Sequence, residues 1–345
     1  MISIRHIVAY CLTCLLFSSI AYAGSSNSLM DVSPDGKRLV VANPDNGTVT
    51  VVDTEARKVL HEIRVGDKPE GVAWIGAGPL AVVTVYHEDQ VVFVDTKEGR
   101  IAKKLAVVDE PYGIVANKDG SRAWVTHEYP GLVSEIDLKE QRVTRLIPVG
   151  SFIRGIALSP DEGRLYVTEF YSAVLHAVDL KTGKVVDSWK GHSTDNLCRH
   201  VVIHPRRPKA YLSNIRSKID VIDSSGSIFP HLSICDLDSP PNPPDSSSGK
   251  RRKSMAMDTY NGVYVVTNPW ESAISPDGTR LYTIYAGTND MNISQIIDDD
   301  YREIIRVGSA VRLGKNPRAI RLSLDGKLAY VYNAMDFSVT VHQAS

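Results

Sequence analysis

The sequence has little cysteine and almost no excess charge of either sign. Only four of its 345 residues are cysteine, and the formal net charge is −1. A balanced charge creates no global field that would attract nucleic acid or another strongly charged polymer. Beyond the N-terminus, no apolar run is long enough to cross a bilayer. We therefore predict a protein that binds no nucleic acid and, once its N-terminal segment is removed, no membrane.

Sequence signatures of catalysis are absent as well. We find no Gly-x-Ser-x-Gly elbow, no His-Glu-x-x-His motif, no P-loop and no dinucleotide-binding glycine fingerprint. A Cys-x-x-Cys-His motif is also absent, so this chain cannot attach haem covalently. No catalytic residue is assigned and no cofactor is firmly implied. The chain alone therefore fits a binding protein better than an enzyme.

The N-terminal segment has the layout of a secretory signal peptide. Arg5 and His6 precede an apolar stretch from Ile7 to Ile20, and Ala21-Tyr22-Ala23 follows it. This pattern predicts a signal peptide over residues 1–23 with cleavage after Ala23. The alternative, a membrane anchor, is disfavoured because the apolar stretch is short. We expect a periplasmic or extracellular protein.

After cleavage, Cys198 and Cys235 are the remaining cysteines, and they fall in the same repeat. An exported protein can pair two such thiols in a disulfide. The two positions are predicted on the innermost and outermost strands of one blade, about three strand spacings of ~4.8 Å apart. That separation exceeds what a disulfide spans, unless loops close the gap. A disulfide and two free thiols both stay open.

Apolar runs ending in aspartate recur along the chain. Asp53, Asp95, Asp137 and Asp179 end such runs at successive spacings of 42 residues. Turns of the Ser-Pro-Asp-Gly type, as at residues 33–36, keep the same phase. Each repeat contains four short alternating strands separated by turn residues, without helical periodicity. A four-stranded unit of this length is typical of a propeller blade. The fold class predicted is all-β, a seven-bladed β-propeller of four-stranded antiparallel blades, with six or eight blades as alternatives.

The repeat divides residues 24–345 into blades. The predicted boundaries are 29–65, 66–107, 108–149, 150–191, 192–237, 270–313 and 314–345. Blade six has an irregular third strand. Blade seven supplies three strands, and its fourth would come from residues 24–28 or from sequence that this chain lacks. Residues 238–254, rich in proline, serine and charge, are predicted to be a disordered surface insertion. Its basic run, Lys250–Lys253, is either solvated or contacts an acidic partner.

Two sets of motifs resemble known propellers. Leu165-Tyr166-Val167-Thr168, and a strand such as Val51-Val52-Asp53-Thr54, resemble the YVTN-type repeat over nearly all of residues 29–345. That resemblance implies a propeller that binds, scaffolds or acts as a lactonase-like enzyme. Further stretches resemble propeller modules fused to cytochrome c peroxidase-like (MauG-like) di-haem domains: 199–205, 211–218, 268–271 and 286–291. This second resemblance implies a protein partner that is a di-haem c-type cytochrome or peroxidase.

The repeat also predicts which residues meet at the channel. Loops that join consecutive blades open on one face of a propeller, where ligands bind. One position there recurs just ahead of each first strand, and its residues are the predicted ligand-binding set: Glu70, Tyr112, Arg154, Arg199, Trp270 and Arg318. Three converging arginines favour a carboxylate or phosphate ligand, unless acids on neighbouring blades pair with them.

The loops between second and third strands contain His87, His127 and Glu169. If neighbouring blades bring them together, two imidazoles and a carboxylate suit a divalent metal such as zinc, copper or iron. The alternative is a set of exposed polar loops. In blade five, His200 and His204 are either buried histidines with hydrogen-bonded partners or ligands for the haem of a partner.

These observations support two functions of different classes. The first is an exported binding or scaffold module that serves a redox partner, a haem protein, through its channel face. The alternative is a lactonase- or cyclase-like enzyme that uses His87, His127, Glu169 and Arg154, with a metal in some members. A third reading, an envelope repeat protein with only protein contacts, is compatible with the same sequence.

Overall fold

The computed structural model describes residues 26–218, 227–239, 251–257, 265–297 and 303–344. The predicted signal peptide, its cleavage site and most of the predicted insertion lie outside these residues. Within the described ranges, no helix is long and apolar enough to cross a membrane.

The described strands form seven antiparallel sheets, which confirms the predicted seven-bladed β-propeller. Blade one contains β1 (Met30–Val32), β2 (Arg38–Asn43), β3 (Thr48–Asp53) and β4 (Lys58–Arg64). Blade two contains β5 (Pro69–Trp74), β6 (Leu80–Val85), β7 (Gln90–Asp95) and β8 (Arg100–Ala106). Blade three contains β9 (Pro111–Ala116), β10 (Arg122–His127), β11 (Leu132–Asp137) and β12 (Arg142–Pro148). Blade four contains β13 (Ile153–Leu158), β14 (Arg164–Glu169), β15 (Leu175–Asp179) and β16 (Lys184–Trp189).

The other three blades depart from this pattern. Blade five contains β17 (Asp195–Asn196), β18 (Val201–Ile203), β19 (Lys209–Lys218), β20 (Ser227–Asp236) and β21 (Arg252–Ala256). Blade six contains β22 (Pro269–Ile274), β23 (Arg280–Tyr285), β24 (Asp290–Ile296), β25 (Ile304–Arg306) and β26 (Val311–Arg312). Its outermost strand, not its third, is the irregular one, because β25 and β26 pair separately with β24. Blade seven contains β27 (Pro317–Leu322), β28 (Leu328–Asn333) and β29 (Ser338–Gln343).

The first strands of the seven blades surround the channel. Each contacts the first strand of the next blade, in the closed order β1, β5, β9, β13, β18, β22, β27 and back to β1. Apolar side chains between neighbouring sheets form seven core clusters, one for each pair of adjacent blades. Phe93 of blade two and Val125 of blade three share one of them and are fully buried. The hydrophobic core is therefore a ring between the blades.

The recurring turn residues stabilise the turns between strands, as the repeat predicted. In the 33–36 turn, the Ser33 hydroxyl donates to Asp35 at 2.6 Å, and Gly36 has a φ of 73°. At the end of β3, Asp53 accepts a hydrogen bond of 2.7 Å from the backbone N–H of Ala56. Asp179 does the same for Thr182. The recurring aspartates therefore hold turns and are not free for chemistry.

The basic run corrects the boundary of the predicted insertion. Arg252–Ala256 pairs with β20 as the outer strand of blade five, so the prediction of a loop through residue 254 was wrong at its end. Arg251 pairs with Asp187, Arg252 with Asp195, and Lys253 with Glu303. The positive charges of Arg251, Arg252 and Lys253 are therefore neutralised within the protein, by acids of blades four to six.

The first described residues, Ser26–Leu29, lie inside the channel and add no strand to blade seven. The backbone of Ser26 bridges Ala157, and the N–H of Asn27 donates to the carbonyl of Ile156 at 2.9 Å. The carbonyl of Ser28 accepts from Val72 in blade two. Blade seven keeps three strands among the described residues. The segment Ser26–Leu29, which we call the channel segment, is therefore bound to first strands and adds no strand to a blade.

Candidate functional site

The six predicted ligand-binding residues share one structural position, which we call the inner position. Each lies two residues after a non-glycine residue with positive φ in the loop that joins two blades; these residues are Lys68, Glu110, Phe152, Leu197, Asn268 and Asn316. A left-handed residue turns the chain sharply before the first strand begins. The common geometry brings the inner positions of six successive blades to one end of the channel, which we call the mouth.

At the mouth, cationic and aromatic side chains alternate along a continuous chain of contacts. Lys68 Nζ lies 3.9 Å from the centroid of the Tyr86 ring, and Tyr86 packs edge-on against Tyr112 at 6.5 Å. The Arg154 guanidinium carbon lies 4.8 Å from the Tyr112 centroid and 3.8 Å from that of Phe170. Cation–π contacts of this kind hold both partners rigid at the protein surface.

The same chain continues through the second half of the ring. The Arg199 guanidinium lies 5.1 Å from the Phe170 centroid and 4.0 Å from that of Trp270. The Arg318 guanidinium lies 5.1 Å from the Trp270 centroid. The predicted convergence of the inner positions is thus present as a contact chain over blades two to seven. We call this chain the mouth ring; Lys68, Tyr86 and Phe170 are its members that were not predicted from the sequence.

The three arginines of the mouth ring differ in their polar partners. Arg154 makes two hydrogen bonds of 2.9 Å to the carboxylate of Glu128, from the neighbouring blade. Arg199 donates to the side-chain oxygen of Asn268 at 3.4 Å, and Arg318 to that of Asn316 at 2.6 Å. Neither of these two has a carboxylate partner among the described residues. The alternative of pairing with neighbouring acids is therefore realised only for Arg154.

Burial changes the protonation of the groups around the mouth. Burial raises the pKa of Glu70, although Lys68 and the arginines of the ring act in the opposite direction. Burial, together with the nearby carboxylate of Glu70, raises the pKa of Tyr112 to about 12. Burial lowers the pKa of Arg199, whose Nε atom is buried and has no hydrogen-bond partner in the structure. A buried guanidinium with an unsatisfied donor favours an added anionic acceptor.

The three predicted metal ligands are not brought together. His87 is half-exposed in a 3-10 turn (Tyr86–Glu88) and contacts Asp67 at 2.9 Å. His127 ends a strand and is buried, with its ring nitrogens bonded to the Asp109 carbonyl at 3.0 Å and to Ser134 at 2.8 Å. Searching the described part of the chain finds no group of three His, Cys, Asp or Glu side chains placed to hold a metal.

Glu169, the third predicted metal ligand, is engaged within its own blade. It accepts hydrogen bonds from His176 at 3.2 Å, from Ser172 and from the backbone of Ser151. Hydrogen bonding from His176, opposed by burial, lowers the pKa of Glu169 to about 2. Its position corresponds to that of His127, since both residues end the second strand, whereas His87 lies two residues beyond that point in blade two. The predicted metal ligands therefore come from two different positions of the repeat, one at the end of the second strand and one two residues beyond it.

The other residues singled out from the sequence are buried. Cys198 and Cys235 are both free thiols in the core cluster between blades four and five, so no disulfide joins them in this structure. Burial raises their pKa values to about 11 and about 12. His204 is held by the carbonyl of Gly278 at 2.9 Å. His200 is buried with neither ring nitrogen hydrogen-bonded, so the expectation of bonded partners holds for His204 and not for His200.

The opposite end of the channel has a different character. A cavity of about 490 Å³ opens there, next to the turns that follow the first strands. Its walls are largely apolar, and its charged lining includes Asp31 and Arg321. Arg321 contacts Asp31 at 3.7 Å and Glu271 at 2.7 Å. The charges of Arg321, Asp31 and Glu271 are therefore paired with one another at this end of the channel.

Comparison with known proteins identifies the shape of the chain and not a family. No family model and no curated protein matches it. A chain of the solved Kuenenia stuttgartiensis hydrazine synthase is similar, with a TM-score of 0.80 and 22% identity over 92% of this chain and 96% of that one. The β-propeller domain of Myceliophteria thermophila Cps50 (Swd1) has a TM-score of 0.67 and 12% identity over the same shares. At these identities, the similarity establishes that the chain is a β-propeller.

Proposed function

We propose that this chain is an exported binding and scaffold module that presents its mouth to a protein partner. The observation that carries the proposal is the mouth ring, in which arginines and large aromatic side chains are in contact around the channel opening and Arg154, Trp270 and Arg318 are partly exposed. Arginine, tyrosine and tryptophan are the residues that contribute most to binding energy in protein interfaces. A rigid ring also loses little side-chain entropy when a partner binds.

The finer proposal is that the partner is a periplasmic redox protein that contains c-type haem. Its support is the resemblance of the second half to propeller modules of di-haem proteins, together with the similarity in shape to a chain of a hydrazine synthase. Trp270 and Arg199, within the stretches that carry the resemblance, are also members of the mouth ring.

A cross-linking experiment tests this proposal. A photo-reactive amino acid replaces Trp270 at the mouth, and in a matched control it replaces Pro34 in a turn that lines the opposite opening. We expect periplasmic extract from the source organism to give one dominant conjugate at the mouth and none at Pro34. The visible absorption of that conjugate should show a haem Soret band. Equal conjugation at both ends would contradict the binding face, and a conjugate without haem would contradict the redox partner.

The lactonase-like alternative stays a prediction. Arg154 pairs with Glu128, and His87, His127 and Glu169 are each engaged separately. No geometric feature of the described residues favours that alternative over partner binding.

A further inference from the structure

A second recurring position next to the mouth ring shows how the ring accommodates a carboxylate. The residue after the second strand donates its backbone N–H to the carbonyl of the left-handed loop residue of its own blade. Examples are Glu128 to Glu110 at 3.0 Å and Ala286 to Asn268 at 2.9 Å. We call this the outer position; its members are Tyr86, Glu128, Phe170, Ala286 and Ala334.

Blade three contains an occupied example of a carboxylate site. Its outer residue, Glu128, reaches the inner residue of the next blade, Arg154, and accepts two hydrogen bonds of 2.9 Å. The Tyr86 hydroxyl donates a third hydrogen bond, of 3.1 Å, to the same carboxylate. A bidentate pair of this kind is the geometry that guanidinium groups prefer. An arginine at the inner position is therefore satisfied when an acid stands at the outer position of the preceding blade.

The same acid is missing in front of the other two arginines. Arg199 is preceded by Phe170 at the outer position of blade four, and Arg318 by Ala286 at the outer position of blade six. Phenylalanine and alanine offer no acceptor. Arg199 is nearly fully buried and its Nε atom lacks a hydrogen-bond partner. The two guanidinium groups also share the ring of Trp270, at 4.0 and 5.1 Å.

We propose that Arg199 and Arg318 form a carboxylate-binding site over Trp270, in which an acidic side chain of the protein partner takes the place that Glu128 takes beside Arg154. This inference rests on the proposed function, because the carboxylate belongs to the partner. Among the described residues, the ion pairs made by the four cations of the ring are Lys68 with Glu70 and Arg154 with Glu128. An added carboxylate therefore reduces an excess of positive charge while it satisfies a buried donor.

Calorimetric titration with succinate tests the site without the partner. We expect succinate to bind the unmodified protein with a dissociation constant on the order of 1 mM. Arg318→Gln and Arg199→Gln should each weaken binding at least tenfold. The matched control, Arg142→Gln on the exposed outer strand of blade three, should leave binding unchanged. Unchanged affinity in both mouth variants, or no binding to the unmodified protein, would overturn the proposal.

A third variant fills the site from within. Ala286→Glu places an acid at the outer position in front of Arg318, as Glu128 stands in front of Arg154, and should abolish succinate binding. Circular dichroism establishes whether this variant folds. If it does not fold, Arg318→Gln and Arg199→Gln alone test whether these arginines bind a carboxylate. Phosphate binding more than tenfold tighter than succinate would overturn the assignment to a carboxylate. Succinate binding combined with a failed cross-link at Trp270 would retain the site and refute the partner-binding function.

Discussion

Blades two to four and blades five to seven use the same repeat in different ways. In the first group, a threonine hydroxyl near the end of each second strand donates to the backbone of the next blade. Thr84 donates to the Tyr112 carbonyl at 2.7 Å and Thr126 to that of Arg154 at 2.9 Å. In blade five the corresponding Ser213 contacts only another hydroxyl, that of Ser272. In the regular group, a side-chain hydroxyl bonds directly to the backbone of the next blade, whereas in blade five the bond joins two side chains.

The residue after the inner position shows the same contrast. It is glycine in blades two to four, where a Cβ atom on Gly113 would lie 2.6 Å from the carbonyl oxygen of Arg154. In blades five and six it is His200 and Glu271, both buried. The close approach of neighbouring strands thus fixes the regular group, whereas the second group has room for buried polar side chains. Blades two to four therefore have closely apposed first strands, and blades five to seven contain most of the buried polar atoms that lack a hydrogen-bond partner among the described residues.

The largest expected effect concerns the hydrophobic core of blades two to four. Phe93→Ala removes a fully buried ring from the core between blades two and three. We expect the free energy of unfolding to fall by about 3–5 kcal/mol. Urea denaturation measures it. Val59→Ala, at a position 62% exposed, should change it by less than about 0.5 kcal/mol. Similar losses in the two variants would mean that the free energy of unfolding does not depend on the core between the blades.

The next effect compares an arginine that has a carboxylate partner with one that has none among the described residues. Glu128→Ala leaves the half-buried Arg154 without its carboxylate and should cost about 3 kcal/mol in unfolding free energy. Arg318→Ala breaks no ion pair and should cost about 1 kcal/mol or less. Urea denaturation of both variants at the same pH measures the difference. A loss for Arg318→Ala as large as that for Glu128→Ala would contradict the distinction between the two halves of the mouth ring.

The third effect is a pH dependence in the second group. Burial raises the pKa of Glu271 to about 7, against the lowering effects of Arg321 and Ser28. A raised carboxyl pKa favours the folded protein at low pH, and that stability is lost as the pH rises from about 4.5 through about 7. The loss is about 3 kcal/mol. In Glu271→Gln, the free energy of unfolding measured by urea denaturation should no longer fall by this amount as the pH rises. In the exposed control Glu55→Gln, it should fall as it does in the unmodified protein. If the unfolding free energy of Glu271→Gln fell with pH as in the unmodified protein, Glu271 would not be the source of this pH dependence.

The smallest effect tests the bonds between blades. Thr126→Val removes the hydroxyl that donates to the Arg154 carbonyl and accepts from the Gly113 N–H, both at 2.9 Å. We expect a loss of about 1–3 kcal/mol, because buried backbone groups lose their partner. Ser213→Ala should cost less, since Ser272 keeps a hydrogen bond to Thr283. Thermal unfolding monitored by circular dichroism ranks the two variants, and a larger loss for Ser213→Ala would reverse the comparison.

Much of the fold and of the mouth was predictable because it follows the repeat. The aspartates at 42-residue spacing and the Ser-Pro-Asp turns mark the regular blades. The inner position lies five residues ahead of such a turn, as Arg154 does ahead of Ser159, and Arg199 lies five residues ahead of His204, which starts the different turn of blade five. Arg154, Arg199 and Trp270 could therefore be placed at one end of the channel from register alone. The three predicted metal ligands are not brought together, because His87 is two residues beyond the position of His127, a shift that the 42-residue spacing already contains and the strand ends confirm.

Other features needed contacts between distant parts of the chain. The outer strand of blade five follows the predicted insertion, and Arg251 and Lys253 pair with acids from other blades. The channel segment bonds to strands far along the chain; the Ser28 hydroxyl, for example, contacts Glu271 at 2.9 Å. Local periodicity contains no information on such pairs, because they depend on how the ring closes.

The sequence by itself predicted seven blades, with six or eight as alternatives, and it predicted the turns and the residues that face the mouth, because strand period and turn chemistry are local properties that repeat. Only the tertiary structure decided which of those residues are satisfied. Arg154 meets Glu128 across a blade boundary, while Arg199 and Arg318 meet Phe170 and Ala286 at the equivalent boundaries. Whether a charge is neutralised depends on its nearest neighbour in space, and in a ring of blades that neighbour comes from a different repeat.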